Sequence, residues 1–236
     1  MKQNIYDNPH FFEKYKDLRD QDKGINELLE QPVIKRLMTR VENKIILDLG
    51  CGLGQQIQSL LSQKPKQIIG VDISQKMIKE AQNRISSPKA QWICEAVEDY
   101  ELGENRFDII LSSMTFHYVE DLKSLFRKIF NALHPGGQFL FSLEHPICTS
   151  ILRSLNGEIN EPGYAVEGSR KQDWFVSDVI KYHRKVSTIV ENLLALGFVM
   201  KNLEEPVPDA KLLQRRPDFQ KHIERPPVLI LNVIKL

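Results

Sequence analysis

The sequence predicts an α/β protein built around a mostly parallel sheet. Strand and helix patterns alternate from about residue 44 to the end of the chain, which is typical of parallel strands joined by helices. A short apolar strand at 45–49 runs into a glycine-rich turn, and a second apolar strand ends at Asp72. With 236 residues, one domain with an appendage is favoured over two independent domains, so we assign residues 1–236 to one domain.

Residues 1–43 are predicted to form a helical cap on this domain. Apolar residues recur at helical spacing from 28 to 41, and Pro32 fits the first turn of a second helical piece better than an interior position. Earlier in the chain, Tyr15 and Arg19 lie four residues apart and would share one face of a helix.

The core elements are predicted from their apolar periodicity. Ser74 is the predicted N-cap of the helix after the second strand, and Pro135-Gly136-Gly137 is predicted to stop the helix before the fifth strand. The predicted strands cover residues 45–49, 68–72, 90–94, 107–111 and 139–143, and the predicted helices cover 55–62, a segment that contains 77–85, and 122–133.

The alternation breaks between residues 144 and 177, where glycines and prolines lie among charged and aromatic residues without a clean period. An insertion of this length is commonly a lid or a substrate platform. Helical periodicity returns at 186–194, and Gly197 is placed to end that helix. Residues 198–203 and 228–234 are the last two predicted strands.

The turn after the first strand suggests a ligand site. Gly50, Gly52 and Gly54 would let the backbone approach a ligand, and Asp72 is placed to accept hydrogen bonds from ribose hydroxyls. A tight turn without a ligand is the alternative interpretation. The two acids, Asp48 and Asp72, favour a nucleoside site at the carboxyl edge of the sheet.

The glycine spacing indicates which nucleoside is bound. Dinucleotide-binding proteins usually carry G-x-G-x-x-G/A, whereas here the spacing is G-x-G-x-G with Asp48 two residues upstream. This form resembles motif I of the class I S-adenosylmethionine (SAM) dependent methyltransferases. The resemblance implies that the loop holds the methionine half of SAM through Asp48, Gly50, Cys51, Gly52 and Gln55.

Further motifs extend the resemblance over about residues 45–145. FDIILSS at 107–113 resembles the fourth-strand motif of these methyltransferases, and LHPGG at 133–137 resembles their turn into strand five. FSLEHP at 141–146, KYHR at 181–184 and EEP at 204–206 resemble a narrower group of small methyltransferases, of type 11/12, with unassigned substrates. The family implies a Rossmann-like seven-stranded sheet of order 3-2-1-4-5-7-6, with strand seven antiparallel and helices on both faces.

The same resemblance implies the remaining cofactor contacts. Family members often carry an Asp after strand three, but this chain has Ala96 there. The backbone of Ala96 and Val97 could still read the adenine edge, and Glu98 is either a substitute acid or a solvated carboxylate. Arg19 either pairs with the SAM carboxylate or belongs to a solvated charge run. The other predicted cofactor-binding residues are Tyr15, Ile73, Met77, Ser113 and His117.

Methyl transfer needs alignment of donor and acceptor, and it needs a base only if the acceptor must lose a proton early. His145 is the first candidate base because it follows strand five next to Glu144, which could orient its ring. Its alternative role is to shape the exit into the insertion. His183, at the predicted entry to a helix, either contacts the substrate or caps that helix. Trp174 and Phe175 either cover an apolar acceptor or pack the lid.

Composition excludes several other functions. A net charge of +1 gives no general field for nucleic acid or an anionic membrane. The three cysteines are odd in number and unclustered, so they predict neither a disulfide framework nor a zinc site. Because no secretory signal and no apolar run of ~20 residues is visible, we expect a cytoplasmic protein.

The sequence therefore predicts a metal-independent SAM-dependent methyltransferase that acts on a small molecule. An NAD-dependent oxidoreductase would also suit Asp72, but the glycine spacing favours SAM. A non-catalytic SAM-binding sensor or scaffold is the second alternative, and a closed acceptor pocket would separate the enzyme from it.

Overall fold

A computed structural model describes residues 2–21, 24–151 and 163–236. Its strands are β1 (Ile45–Leu49), β2 (Gln67–Asp72), β3 (Ala90–Cys94), β4 (Phe107–Ser112), β5 (Leu133–Glu144), β6 (Gly168–Trp174), β7 (Val176–His183), β8 (Phe198–Glu204) and β9 (Val228–Lys235). Its α-helices are α1 (Pro9–Asp20), α2 (Gln31–Leu37), α3 (Gln55–Leu61), α4 (Gln75–Arg84), α5 (Leu122–Ala132), α6 (Pro146–Thr149), α7 (Val186–Ala195), α8 (Ala210–Arg215) and α9 (Lys221–Glu224).

Seven strands form one sheet in the order β3-β2-β1-β4-β5-β9-β8. The strands from β3 to β5 pair in parallel, and β9 runs antiparallel to both β5 and β8. The predicted order and the antiparallel last strand are therefore confirmed. This arrangement brings the carboxyl ends of β1, β2, β3 and β4 to one edge, where ligands bind in open α/β sheets.

Apolar layers cover both faces of this sheet. On one face α5 and α7 bury Phe126, Ile129 and Ile189 against the strands. On the other face α2 and α3 contribute Ile34 and Ile57. Alternate side chains of the parallel strands point into each layer, which explains why these strands are apolar almost throughout.

The starts of α4 and α2 follow the prediction, whereas residues 135–137, predicted to stop α5, lie inside β5 because α5 already ends at Ala132. The Ser74 hydroxyl accepts a hydrogen bond from the Met77 N–H (3.1 Å) at the start of α4. Pro32 lies in the first turn of α2, and α2 follows a π-helical turn at Asn26–Glu30. Among the described residues, no helix combines the length and apolar character needed to cross a membrane.

The largest departure from the sequence prediction is a β-hairpin formed by β6 and β7. It begins inside the predicted insertion, passes its predicted end at residue 177 and continues to His183. The prediction that His183 stands at a helix entry is wrong, because His183 ends β7 and α7 begins at Val186. Residues 152–162 of the predicted insertion lie outside the described residues.

Candidate active site

The glycine-rich loop is fixed to the end of β2 by its own backbone. The N–H groups of Gly50 and Cys51 donate to the Val71 carbonyl (2.7 and 3.0 Å), and the Gly52 N–H donates to Asp72 Oδ2 (2.9 Å). The loop therefore lies directly beside the acid that follows β2.

Gly50 packs against the turn after β4. Its φ is +77°, and an added Cβ would lie 2.0 Å from Thr115 Oγ1 and 2.6 Å from Thr115 Cγ2. Both the left-handed backbone and the contact require glycine at this position. The loop and the β4 turn thus form two facing walls.

Two cavities meet at these walls, with volumes of about 590 and 490 Å³. Both lie within the range of about 300–1,000 Å³ that ligand pockets occupy. The shared lining consists of Tyr15, Gly50, Gly52 and Ser113. Of the predicted cofactor residues, the larger cavity adds Asp72, Ile73, Met77, Ala96 and Val97, and the smaller adds Arg19, Asp48, Cys51 and Gln55.

Buried acids give the site its charge. Asp48 is 1% exposed, and its Oδ2 has no hydrogen-bond partner among the described residues. Burial, reinforced by the carboxyls of Asp72 and Glu30, raises the pKa of Asp48 to about 7. Burial also raises the pKa of Asp72 to about 6, although the N–H groups of Ser74 and Gly52 donate to its carboxylate. The site therefore favours a ligand with a cationic group and with donors.

Comparisons with known proteins agree with this geometry. Residues 47–141 match the family described as a methyltransferase domain. The solved structure of an S-adenosylmethionine-dependent methyltransferase from Mesorhizobium loti superimposes with a TM-score of 0.81 at 32% identity, covering 91% of this chain and 99% of that one. An uncharacterised protein of Haemophilus influenzae is 33% identical over 250 residues, covering 100% of this chain and 98% of the relative.

This chain belongs to the SAM-dependent methyltransferases. A malonyl-[acyl-carrier protein] O-methyltransferase of Priestia megaterium is 30% identical over 134 residues, covering 56% of this chain. The chain spans about half (48%) of the length of that relative. The predicted cofactor is accordingly SAM rather than NAD.

The residues of the site fit SAM in three ways. Asp72, the predicted ribose ligand at the end of β2, lines the larger cavity, and Gly50 and Gly52 of the glycine loop line both cavities. The unpartnered oxygen of buried Asp48 would complement an ammonium group. Among the described residues, no group of three or more His, Cys, Asp or Glu side chains could hold a metal ion.

Arg19 connects the helical cap of the methyltransferase to the loop. Its guanidinium pairs with Glu27 (2.7 Å), and its Nε and Nη2 donate to Gln55 Oε1 (2.9 and 2.6 Å). The side chain is 12% exposed, so the alternative of a solvated charge run is wrong. Arg19 lines the smaller cavity, on the side of the predicted methionine end.

The N-terminal arm, defined as residues 2–20, covers the larger cavity together with the hairpin, defined as residues 168–183. The Gln3 side chain donates to the Ile180 carbonyl (3.2 Å) and accepts from the Ile180 N–H (2.7 Å). The rings of Tyr6 and Tyr118 meet edge to face, with 6.3 Å between their centroids. All four residues line the cavity. None of the four was predicted as a site residue from the sequence, although Tyr118 stands next to the predicted residue His117.

Trp174 and Phe175 at the hairpin tip contact the arm. The Trp174 ring lies 5.1 Å from Phe11 and 6.1 Å from Tyr15 between centroids, and Phe175 lies 5.5 Å from Phe11. These edge-to-face contacts hold the arm and the hairpin together. The packing role predicted for this aromatic pair is the one that its contacts support.

His145 is engaged at both ring nitrogens. Its Nδ1 accepts from the Ile147 N–H (3.0 Å), which caps α6, and its Nε2 lies 2.7 Å from Glu205 Oε1. The prediction that Glu144 orients this ring is wrong, since Glu144 pairs with Lys181. His145 is not among the residues that line either cavity, so its geometry supports the alternative role at the exit of β5.

His117 and His183 also lie outside the lining of both cavities. The Nδ1 of His117 accepts from the Glu144 N–H (3.2 Å), and burial lowers its pKa well below the usual range. His183 bonds Thr149 Oγ1 (2.8 Å) and the Tyr164 carbonyl (3.0 Å). Of the two alternatives for His183, the capping of α7 is wrong, because its ring pairs with Thr149 and Tyr164 and no side chain of the described residues caps α7. These contacts support a structural role for both rings.

Proposed function

We propose that this methyltransferase methylates a small molecule bound in the larger cavity, beneath the N-terminal arm and the hairpin. The observation that carries the proposal is the pairing of Gln3 with Ile180. It joins the two segments over a cavity that both of them line. A cover of this kind excludes water and limits the acceptor to a size that the cavity can hold.

The cofactor would lie across both cavities along the glycine loop. Each carboxylate oxygen can accept more than one hydrogen bond, so Asp72 can hold ribose hydroxyls while it keeps the Gly52 and Ser74 N–H groups. Asp48 would bind the ammonium group of the methionine end, and Arg19 would bind its carboxylate. Ala96 and Val97 would border the adenine. SAM supplies an electrophilic methyl group when it is bound.

The chain would contribute alignment rather than proton transfer. Tyr6, Tyr15 and Tyr118 line the larger cavity, and burial raises the pKa of each above its ordinary value. They stay protonated at neutral pH and can donate hydrogen bonds, but they cannot act as bases. None of these tyrosines can deprotonate the acceptor, which favours an acceptor atom that is already nucleophilic at neutral pH, such as a carboxylate oxygen or the nitrogen of an uncharged amine.

The family's matched relatives include an enzyme whose named substrate is a malonyl group on an acyl-carrier protein. That acceptor belongs to the same chemical class, but it is linked to a protein. We propose the free small molecule, since the arm and the hairpin close over the cavity and the relative is matched over about half its length (48%).

Methyl-labelled SAM and a cell extract separate these acceptors. The extract is divided by ultrafiltration into small molecules, proteins and nucleic acids, and label is followed into each fraction. We expect label among the small molecules, and none with Asp72→Ala, the matched control that weakens the cofactor site. Label in protein or nucleic acid alone would contradict the proposal.

Calorimetric titration with SAM, S-adenosylhomocysteine and NAD⁺ tests the cofactor site separately. We expect binding of both adenosyl compounds and none of NAD⁺. Adenosyl binding with no labelled product in any fraction would favour the sensor over the enzyme.

A further inference from the structure

Glu30 is a fully buried carboxyl (0% exposed) that lines neither cavity. Its Oε1 accepts from the hydroxyls of Ser113 (2.6 Å) and Ser142. Its Oε2 accepts from the Asn26 side-chain amide (2.9 Å). One side chain thus joins the helical cap, the turn after β4 and the end of β5.

Ser113 and Ser142 contact the turn at residues 113–115, which has an unusual backbone conformation. Met114 has a φ of +51°, a left-handed conformation that residues with a side chain rarely adopt. Its N–H donates to both Ser142 Oγ (3.0 Å) and the Ser142 carbonyl (3.2 Å). The Thr115 hydroxyl donates to the Ser113 carbonyl (3.0 Å). Strained backbone of this kind persists where its surroundings fix it, and it is common at functional sites.

This turn forms one wall of the site. Ser113 lines both cavities, and Met114 and Thr115 line the larger one. Thr115 also fills the space in front of Gly50. A displacement of the turn would therefore change the gap between the glycine loop and the acceptor side.

Stability alone does not explain a carboxyl at this position. Its neighbours in the cap, Leu29, Val33 and Ile34, are apolar, and burying an acid costs free energy that an apolar side chain would avoid. Burial raises the pKa of Glu30 despite its hydrogen-bond donors. The presence of an acid here is best explained by its hydrogen bonds to Ser113, Ser142 and Asn26.

We propose that Glu30 is a positioning residue of the methyltransferase, which fixes the 113–115 turn against the glycine loop through Ser113 and Ser142. The inference rests on the proposed site, because it assigns the cofactor to the cavities that this turn lines.

The test compares Glu30→Ala, Glu30→Gln and Gln138→Ala by calorimetric binding of S-adenosylhomocysteine. Glutamine keeps an oxygen that accepts from both serines, and Asn26 can rotate its amide to pair with the new NH₂ group. Gln138, four residues before Ser142 on β5, also tethers the cap: it bonds Thr39 (3.0 Å), Leu37 (2.9 Å) and Asn232 (2.8 Å). It lines neither cavity, so it is the matched control for loss of a buried tether.

We expect Glu30→Ala to weaken binding about tenfold or more, since it removes several hydrogen bonds to one acid. Glu30→Gln and Gln138→Ala should stay within about threefold of the parent, a difference below ~1 kcal/mol. If Glu30→Ala does not fold, Ser142→Ala gives the second measurement, and it should weaken binding in the same direction. Parent-like binding by the folded alanine variant would overturn the inference, as would equal losses in Glu30→Gln or in Gln138→Ala.

Failure of the proposed site gives a different result. If the parent chain did not bind S-adenosylhomocysteine, the assignment of the cavities would be lost. If the parent binds and the folded alanine variant at Glu30 binds equally well, only the role of Glu30 is lost.

Discussion

The proposed cofactor side and the proposed acceptor side of this methyltransferase are built differently. The cofactor side consists of strand ends and short turns, and its acids Asp48 and Asp72 lie on neighbouring parallel strands. The acceptor side consists of the N-terminal arm and the hairpin, which meet through aromatic rings and the Gln3–Ile180 pair. Local chain geometry therefore places the two acids of the first side, whereas contacts between distant segments specify the second. Substitutions should separate the two sides.

The largest effect is expected at the glycine loop. Gly50→Ala adds a Cβ at 2.0 Å from Thr115 Oγ1 and keeps a φ of +77°, so overpacking and left-handed strain together should cost ~2–5 kcal/mol. Gly136→Ala is the matched control, because its φ is +78° with no atom within 4 Å. It should cost only ~1–2 kcal/mol and leave the affinity for S-adenosylhomocysteine unchanged. Urea unfolding and calorimetry measure both effects, and equal losses in the two variants would contradict the clash.

Asp72→Ala should have the next largest effect. It removes the proposed ribose acceptor and leaves the Gly52 and Ser74 N–H groups without their partner. We expect SAM binding to weaken by ~1.5–3 kcal/mol, the range for hydrogen bonds to a charged group. Asp72→Asn should lose less affinity for SAM than Asp72→Ala, since asparagine keeps one acceptor oxygen. An unchanged affinity in Asp72→Ala would place the ribose contact elsewhere.

Asp48→Asn should stabilise the ligand-free protein while weakening SAM binding. The pKa of Asp48 is about 7 in the folded chain and about 3.9 when unfolded. Ionisation of the buried carboxyl therefore lowers the free energy of unfolding as the pH rises from about 4 to about 7. Above about pH 7 this free energy falls no further from the ionisation of Asp48. We expect Asp48→Asn to raise the free energy of unfolding by ~1–3 kcal/mol at pH 8 and by less at pH 5, measured by urea unfolding.

Asp121→Asn is the control for this titration. Hydrogen bonds from Ser124 lower the pKa of Asp121, so ionisation of Asp121 is favoured in the folded chain. Removal of its charge should not stabilise the protein at pH 8. A gain that is equal at pH 5 and pH 8 in Asp48→Asn would show that the titration of Asp48 is not its cause.

The smallest effect should come from His145, which lines neither cavity. His145→Ala removes the cap of α6 and the contact with Glu205, which should cost ~1 kcal/mol of stability, as other caps do. Binding of S-adenosylhomocysteine and methyl transfer should remain. Abolished transfer with normal binding and folding would restore His145 as the base.

The strands and the helix cap around the proposed cofactor side were predictable from the sequence because their signals are local. The predicted strand at 45–49 coincides with β1, since an apolar run between a polar segment and glycines leaves few alternatives. The capping role of Ser74 was predictable for the same reason.

The hairpin was missed because its sequence has no apolar alternation. Arg170 and Lys181 are buried in it, against the usual exposure of charged side chains. Their burial depends on tertiary contacts, such as that of Lys181 with Glu144. The partner of His145, Glu205, lies 60 residues further along the chain, so no local pattern could identify it.

Glu30 had a sequence signal that was overlooked. It occupies the same helical stripe as Ile34 and Leu37, where an acid interrupts an otherwise apolar face. A charged residue in such a stripe is a candidate for a buried polar network. Its partners, Ser113 and Ser142, are 83 and 112 residues away and required the structure.

The pairing of Gln3 with Ile180 also bears on how the chain folds. The two residues are separated by 177 positions, and contacts of such long sequence separation form late because they close a large loop. During synthesis, β1 to β5 with their glycine loop are complete before Ile180 has been added. We therefore expect the contact of the arm with the hairpin over the larger cavity to be the last part of the site to form. The arm is synthesised first, but it lacks this partner until the hairpin is made.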